Sequence, residues 1–265
     1  MRLLSYNIHK GIGGRDRKYR LERIIEVITH ESPDIVCLQE VDNNVRRSGH
    51  HDQPRMLADG CLLHHHAYQL NVPIRTGGYG NLVLSRWPIH EAHHMCLRFK
   101  KRKHRGAQFV EVITPEGPLS LINWHLGLTG GERLWQARQL LLHTKLLANK
   151  HQPTIIAGDS NDWRDHIALR IFAHQSFQLV THPSSRFRSF PAYWPLMALD
   201  KIFVRGSVEV VQARVVSTPL AKRASDHLPL VCDFRISSSI NNAAPVLRNH
   251  TSVPDLHDDS GRNTH

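Results

Sequence analysis

Several apolar runs of the chain end on polar residues, and chemistry is expected at those places. Asn7 follows Leu3-Leu4-Ser5-Tyr6, and Glu40 follows Ile35-Val36-Cys37-Leu38-Gln39. His125 follows Leu119-Ser120-Leu121-Ile122-Asn123-Trp124, while Asp159 and Asn161 follow Thr154-Ile155-Ile156-Ala157-Gly158. Asp226-His227 stands just before the run from Leu228 to Phe234. Carboxylates and amides at neighbouring strand ends suit a hard, oxygen-loving cation. With no cysteine and no paired histidine among them, Mg2+ or Mn2+ is favoured over Zn2+. Singly, most of these residues have an ordinary reading: Asn7 as a turn residue, Glu40 as a surface carboxylate, Asp200 and Asp226 as acids flanking strands. Asp159 and His227 exceed that reading alone. The full set exceeds it together.

Two segments of one design must hold these residues. The first is a strand over 3–6, a turn marked by Gly11, Gly13 and Gly14, a helix over 19–30 and a buried strand over 35–38. In that helix Leu21, Ile24, Ile25 and Ile28 recur at helical spacing. The second is a strand over 119–124, Thr129-Gly130-Gly131, a helix from Glu132 to about Lys150, and a buried strand over 154–157 after Pro153. Each reads as a β-α-β crossover, which makes its two strands parallel and gathers their carboxyl ends on one edge, where ligands bind. Strand-like stretches over 81–85 and 108–113 lie between them, and strands over 199–204, 208–216 and 228–234 follow. Residues 1–236 form one domain in this reading, and the Ser- and Asn-rich segment 237–265 is a polar, disordered tail.

Composition bounds the partners. The 265 residues carry 34 Lys+Arg against 23 Asp+Glu, a net +11. The tail holds two arginines and three aspartates, so the basicity belongs to the domain. Such a surface attracts nucleic acid, anionic lipid or phosphorylated small molecules. No apolar run reaches the roughly 18 residues of a membrane helix, and the amino-terminal run is too short for a secretory signal. Cys37, Cys61, Cys96 and Cys232 are widely separated, which points to a reduced, cytoplasmic protein. The 21 histidines include His64-His65-His66 and His93-His94. Neighbours in a strand face opposite sides, so these read as solvated surface groups.

The local strings resemble the motif series of the endonuclease/exonuclease/phosphatase superfamily. Ser5-Tyr6-Asn7, Leu38-Gln39-Glu40-Val41, Trp124-His125-Leu126, Gly158-Asp159-Ser160-Asn161-Asp162, Leu199-Asp200-Lys201-Ile202-Phe203 and Ser225-Asp226-His227-Leu228-Pro229 occur in that family's order. The resemblance implies a four-layer α/β sandwich, two mixed sheets flanked by helices, with one crossover in each sheet. It implies a Mg2+-dependent hydrolase of phosphodiesters in which Glu40, Asn7 and Asp226 hold the metal. Asp159, helped by Asn161, would orient or deprotonate the attacking water. His227, oriented by Asp200, would donate to a phosphate oxygen, and His125 would contact the phosphate or assist the leaving group. A metal and an imidazolium together meet the demand of in-line attack, a nucleophile and dispersal of charge. Two departures stand out. Neither Tyr68 nor Tyr79 matches the tyrosine that abasic-site endonucleases place beside the phosphate, and the carboxylate partner of His125 stays open between Glu91 and Glu111.

Three stretches bear on the substrate. The run 98–105, ending in Arg105, could follow a phosphate backbone. Arg15, Arg17, Lys18 and Arg20 follow the glycine turn near the metal edge. Arg186, Arg188 and Phe190 interleave basic and aromatic groups ahead of Asp200, as base-stacking segments do. The leading expectation is an endonuclease acting on DNA or RNA. The enzyme alternative is a lipid or inositol headgroup phosphoesterase meeting an anionic membrane, and the non-enzymatic one is a polyanion-binding protein.

Overall fold

A computed structural model describes residues 1–148 and 152–237. Twelve strands form two six-stranded sheets. The first sheet contains β1 (Arg2–Asn7), β2 (Ile35–Asn43), β3 (His65–Ile74), β4 (Gly77–Ser85), β11 (Val208–Val215) and β12 (Leu230–Ile236), in the order β11-β12-β1-β2-β4-β3. The second contains β5 (Ile89–Cys96), β6 (Gly106–Thr114), β7 (Gly117–His125), β8 (Thr154–Asp159), β9 (Gln178–Leu179) and β10 (Asp200–Arg205), in the order β5-β6-β7-β8-β10-β9. As expected, β1 and β2 run parallel in one sheet and β7 and β8 in the other. Every other pairing is antiparallel, so both sheets are mixed.

Period-two alternation builds three apolar layers. In β1, Leu4 and Tyr6 face α1 (Leu21–Glu31) and α2 (Gln53–Gly60), packing with Ile24, Val27 and Leu57. Leu3 faces the other way and meets Ile35, Cys37, Leu121, Ile155 and Ile202 in the seam between the sheets. On the far side, Ile122, Trp124, Ile156 and Phe203 pack against Ala137 and Leu140 of α3 (Gly130–Leu141) and against Phe172. The result is the expected helix–sheet–sheet–helix sandwich.

The differences from the sequence reading are local. The second crossover helix is broken, with α3 ending at Leu141 and α4 spanning Thr144–Ala148. His143 Nδ1 accepts from the Lys145 N–H at 3.3 Å, an alternative to the helical ladder that starts the second piece. The end of the predicted helix lies outside the described residues, as does the predicted tail beyond Ser237. Strands β3 and β5, both on or near open edges and rich in exposed histidine, and the helix α2 went unread in the sequence. Asp52 starts α2 by accepting from the Arg55 N–H at 3.2 Å, with Pro54 in the first turn. All four cysteines are free, with Cys37 and Cys232 buried. No helix among the described residues is long and apolar enough to cross a membrane.

Candidate active site

The seam changes character along its length. At the foot of β8 lie Ile155 and Ala157, and two residues further the same face ends on Asp159. His125 of β7 and Asp200 of β10 are its register partners on either side. Three adjacent strands therefore set an imidazole and two carboxylates in one row. The middle of the seam is polar: Asn123 donates to the Leu38 and Leu82 carbonyls at 2.9 and 3.1 Å, and Gln39 donates to Asn123 Oδ1 at 2.8 Å. These bonds tie the first sheet to the second just below the row.

Backbone geometry aims the remaining groups. Glu40 lies inside β2 rather than at its end, in a bulge where the register against β4 shifts between Leu38 and Val41. Its φ of 58° is left-handed, a conformation that side-chain-bearing residues adopt at a cost. Asn161 (φ 51°) and Lys10 (φ 65°) share that conformation and line the same cleft. Gly158, with φ 138°, is required: a Cβ there would sit 2.1 Å from the Trp124 carbonyl. Gly14 is required for another reason, since its Cβ would fall 2.6 Å from the Asp226 Cα.

Both oxygens of Asp159 are held. Oδ2 accepts from the Asn7 side chain at 3.0 Å, and Oδ1 accepts from the Asn161 backbone N–H at 3.0 Å. Burial, with Asp200 adding to it, pushes the Asp159 carboxyl up to about 6 against the pull of His227 and Arg105. His227 Nδ1 meets Asp200 Oδ2 at 2.9 Å, and its Nε2 lies 3.7 Å from Asp159 Oδ2. Burial opposes charge on that ring, but Asp200 and Asp159 outweigh it and push the pKa up to about 10. Ser189 donates to the same Asp200 oxygen, and the Phe190 ring lies 4.9 Å from the imidazole.

His125 behaves oppositely. Burial and then the Arg105 guanidinium drive its pKa well down, and Arg105 Nη1 lies 2.7 Å from its Nε2. Nε2 thus accepts and the neutral ring carries its proton on Nδ1. Neither Glu91 nor Glu111 partners it: Glu91 pairs with Lys145 and His93, and Glu111 with Gln152. Glu40 is buried, which would raise its pKa, yet the ammonium of Lys10 holds it below the usual carboxylate range. Lys10 is paired with it directly.

Nine predicted residues line one cleft of about 480 Å3: Asn7, Glu40, Arg105, His125, Asp159, Asn161, Phe190, Asp226 and His227. Asp200 is buried behind His227. Arg186 and Arg188 do not belong there and instead line a separate groove with His182 and Arg214. Phe187 turns into the seam core and Ser189 onto Asp200, so Arg188 between them turns outward, while Arg186 ends the single turn Ser184–Arg186 just before Phe187. Arg15, Arg17, Lys18 and Arg20 are also absent from the cleft lining, where Lys10 appears instead. Sequence reasoning missed Lys10, Leu128, Arg133 and Trp163. Lys10 was findable, three residues past Asn7; Leu128 and Trp163 enter from loops, and Arg133 from the first turns of α3.

Among the groups lining the cleft, Glu40, Asn7 and Asp226 offer oxygen donors of the kind a hard cation takes. Asp159, Asp200 and His227 also offer three ligand atoms within 4.8 Å of one another. His227 Nδ1 is already engaged by Asp200, however, which makes that trio an oriented imidazole facing a carboxylate.

A buried carboxylate–imidazole pair beside oxygen donors, at the open end of a two-sheet sandwich, is the equipment of a phosphoester hydrolase. Residues 4–227 match the Endonuclease/Exonuclease/phosphatase family, and the chain belongs to it; its members hydrolyse phosphoester bonds. The sequence is 29% identical over 252 residues to the Escherichia coli (strain K12) protein YbhP, covering 89% of this chain and 96% of that one. The fold is similar to the endonuclease/exonuclease/phosphatase from Beutenbergia cavernae DSM 12333, with a TM-score of 0.71 at 23% identity over 89% of this chain and 72% of that one. It is also similar to the mannosyl-6-phosphatase Bt3783 of Bacteroides thetaiotaomicron VPI-5482, with a TM-score of 0.69 at 16% identity over 88% and 99% of the two chains.

Proposed function

We propose that the protein is a Mg2+-dependent phosphodiesterase that cleaves by in-line attack of water. The observation that carries this reading is Asp159, clamped through both oxygens by Asn7 and Asn161 and facing the Asp200-oriented His227 across 3.7 Å. Asp159 orients the attacking water and receives its proton. His227, held in its charged form, donates from Nε2 to a phosphoryl oxygen, and Asp200 fixes the ring that does so. Arg105 and the neutral His125 supply a second contact to the phosphate. Glu40, Asn7 and Asp226 would hold Mg2+, or Mn2+ in its place. The bound cation would supply charge neutralisation at the phosphoryl oxygens and acidify water.

Endonucleolytic cleavage of DNA or RNA finds support in the basic run that ends at Arg105. Cleavage of a lipid or inositol headgroup finds support in apolar side chains exposed around the mouth, Leu128 and Trp163 among them. Hydrolysis of bis-p-nitrophenyl phosphate, titrated with Mg2+ and Mn2+, tests the chemistry common to both. Turnover that survives chelation, or that persists unchanged in Asp159→Asn and His227→Ala, would refute it.

A further inference from the structure

Two large exposed apolar side chains line the cleft, and three more stand on a loop whose two ends line it. Leu128 and Trp163 line it and are 71% and 47% exposed. Tyr193, Trp194 and Leu196 stand on the loop closed by the Phe190–Met197 bridge, and Trp194 and Leu196 are 67% and 58% exposed. Phe190 and Met197 themselves line the cleft, and the Ala192 N–H donates to the Asp226 carbonyl at 2.7 Å. The loop is therefore fastened to the site while its tip faces outward. Of the two exposed tryptophans among the described residues, Trp163 lines the cleft and Trp194 stands on the adjoining loop. Apolar surface gathered at one place is the mark of an interaction site.

The chemistry of the rim selects the partner. Leu128 and Leu196 have no flat face on which a base could stack. Tryptophan and tyrosine mixed with leucine is the composition that settles at the headgroup level of a bilayer. Beside the rim runs the basic loop with exposed Arg98, Lys100, Lys101, Arg102 and Lys103. Phe99 seats that loop on Trp135 of α3 at 5.3 Å between ring centres, and Arg102 reaches Glu132 at 3.8 Å, four residues beyond Leu128. Cations and an apolar rim on one edge complement an anionic bilayer surface.

We infer that this mouth docks on an anionic lipid bilayer, which presents a lipid headgroup as the phosphodiester for the site. The inference rests on the phosphodiesterase reading for its substrate, though not for the docking. The test is co-sedimentation of the full chain with vesicles of phosphatidylcholine alone and of equal phosphatidylcholine and phosphatidylglycerol. Wild type is expected on the anionic vesicles with a blue shift of tryptophan emission. The W194S/L196S double variant, altered at exposed positions outside the catalytic groups, is expected to bind about tenfold or more weakly. Its thermal melting and its turnover of soluble bis-p-nitrophenyl phosphate stay at wild-type values. Wild type that ignores anionic vesicles, or a double variant that binds them as tightly, would overturn the docking. So would a double variant that keeps vesicle binding and loses a single-stranded oligonucleotide, which would assign the rim to base stacking. Absence of wild-type turnover on the soluble diester would count against the chemistry of the site and not against docking.

Discussion

At the foot of the inter-sheet seam, Leu3, Ile35 and Cys37 of one sheet meet Leu121, Ile155 and Ile202 of the other. At its head, the same strands present Asn7, His125, Asp159 and Asp200. Backbone, register and burial are nearly the same at both ends; the side chains obey opposite rules. The foot is assembled for stability, and each group there gains by leaving water. The head keeps ionisable groups where burial is unfavourable, which is why the Asp159 carboxyl is pushed up to about 6 and the His227 ring needs two carboxylates to stay charged. Function is concentrated where the sandwich sacrifices stability. The polar bonds of Gln39 and Asn123 mark the boundary.

That contrast predicts that substitutions at the head cost turnover and those at the foot cost stability. Asp159→Asn is expected to lower kcat on a soluble diester by about 10²–10⁴ while the melting temperature holds or rises. A fall in both would mean that the carboxylate is structural. Ile155→Ala, two turns of the pleat lower, should lose about 2–5 kcal/mol in denaturant unfolding with kcat unchanged where the protein is folded. Asn123→Leu removes the donor to the Leu38 and Leu82 carbonyls and the acceptor of the Gln39 amide, and should cost about 1–3 kcal/mol. Because it loosens the sheets just below the reacting groups, it is the one variant expected to lower both stability and turnover. If it lowers stability alone, the boundary is not part of the site's support.

The smallest effect lies at the outer edge of the foot, where Arg2 holds Asp233 across β1 and β12 at 2.7 Å. The Arg2 hydrogen bond depresses the Asp233 carboxyl in the folded state. Its stabilisation is therefore complete above the unfolded carboxylate value of about 4 and disappears as pH falls through the lower, folded one. Asp233→Asn should cost up to about 1 kcal/mol at neutral pH, and the gap from wild type should close in acid. A gap that persists in acid would show that shape rather than charge is being measured.

Much of this arrangement was legible in the sequence because buried strands write themselves as apolar runs. A polar residue at the end of such a run marks the head of the seam. Asn7, His125 and Asp159 announced themselves in that way, and the two crossovers fixed which ends lie together. Glu40 was found for a partly wrong reason: its strand does not end there but bulges and continues to Asn43. Asn123, and Asn81 with its bonds to the Gly106 and Asn123 carbonyls at 3.2 Å, could not be read, because their partners are distant carbonyls in the opposite sheet and leave no local pattern. The outward turn of Arg186 and Arg188 was hidden as well, since nothing nearby in sequence says that Phe187 and Ser189 face inward. Edge strands rich in histidine, such as β5, lack the apolar signal altogether.

The reacting groups stand on strand ends and a bulge, whereas the rim around them is carried by the segments near Leu128, Trp163 and Trp194. The two sets come from different pieces of chain, joined where the Ala192 N–H donates to the Asp226 carbonyl. Changing the exposed side chains at Leu128, Trp163 and Trp194 would alter what reaches the cleft without disturbing the row of His125, Asp159 and Asp200. The scaffold in this sense separates one buried reaction head from the exposed tips that meet whatever approaches it.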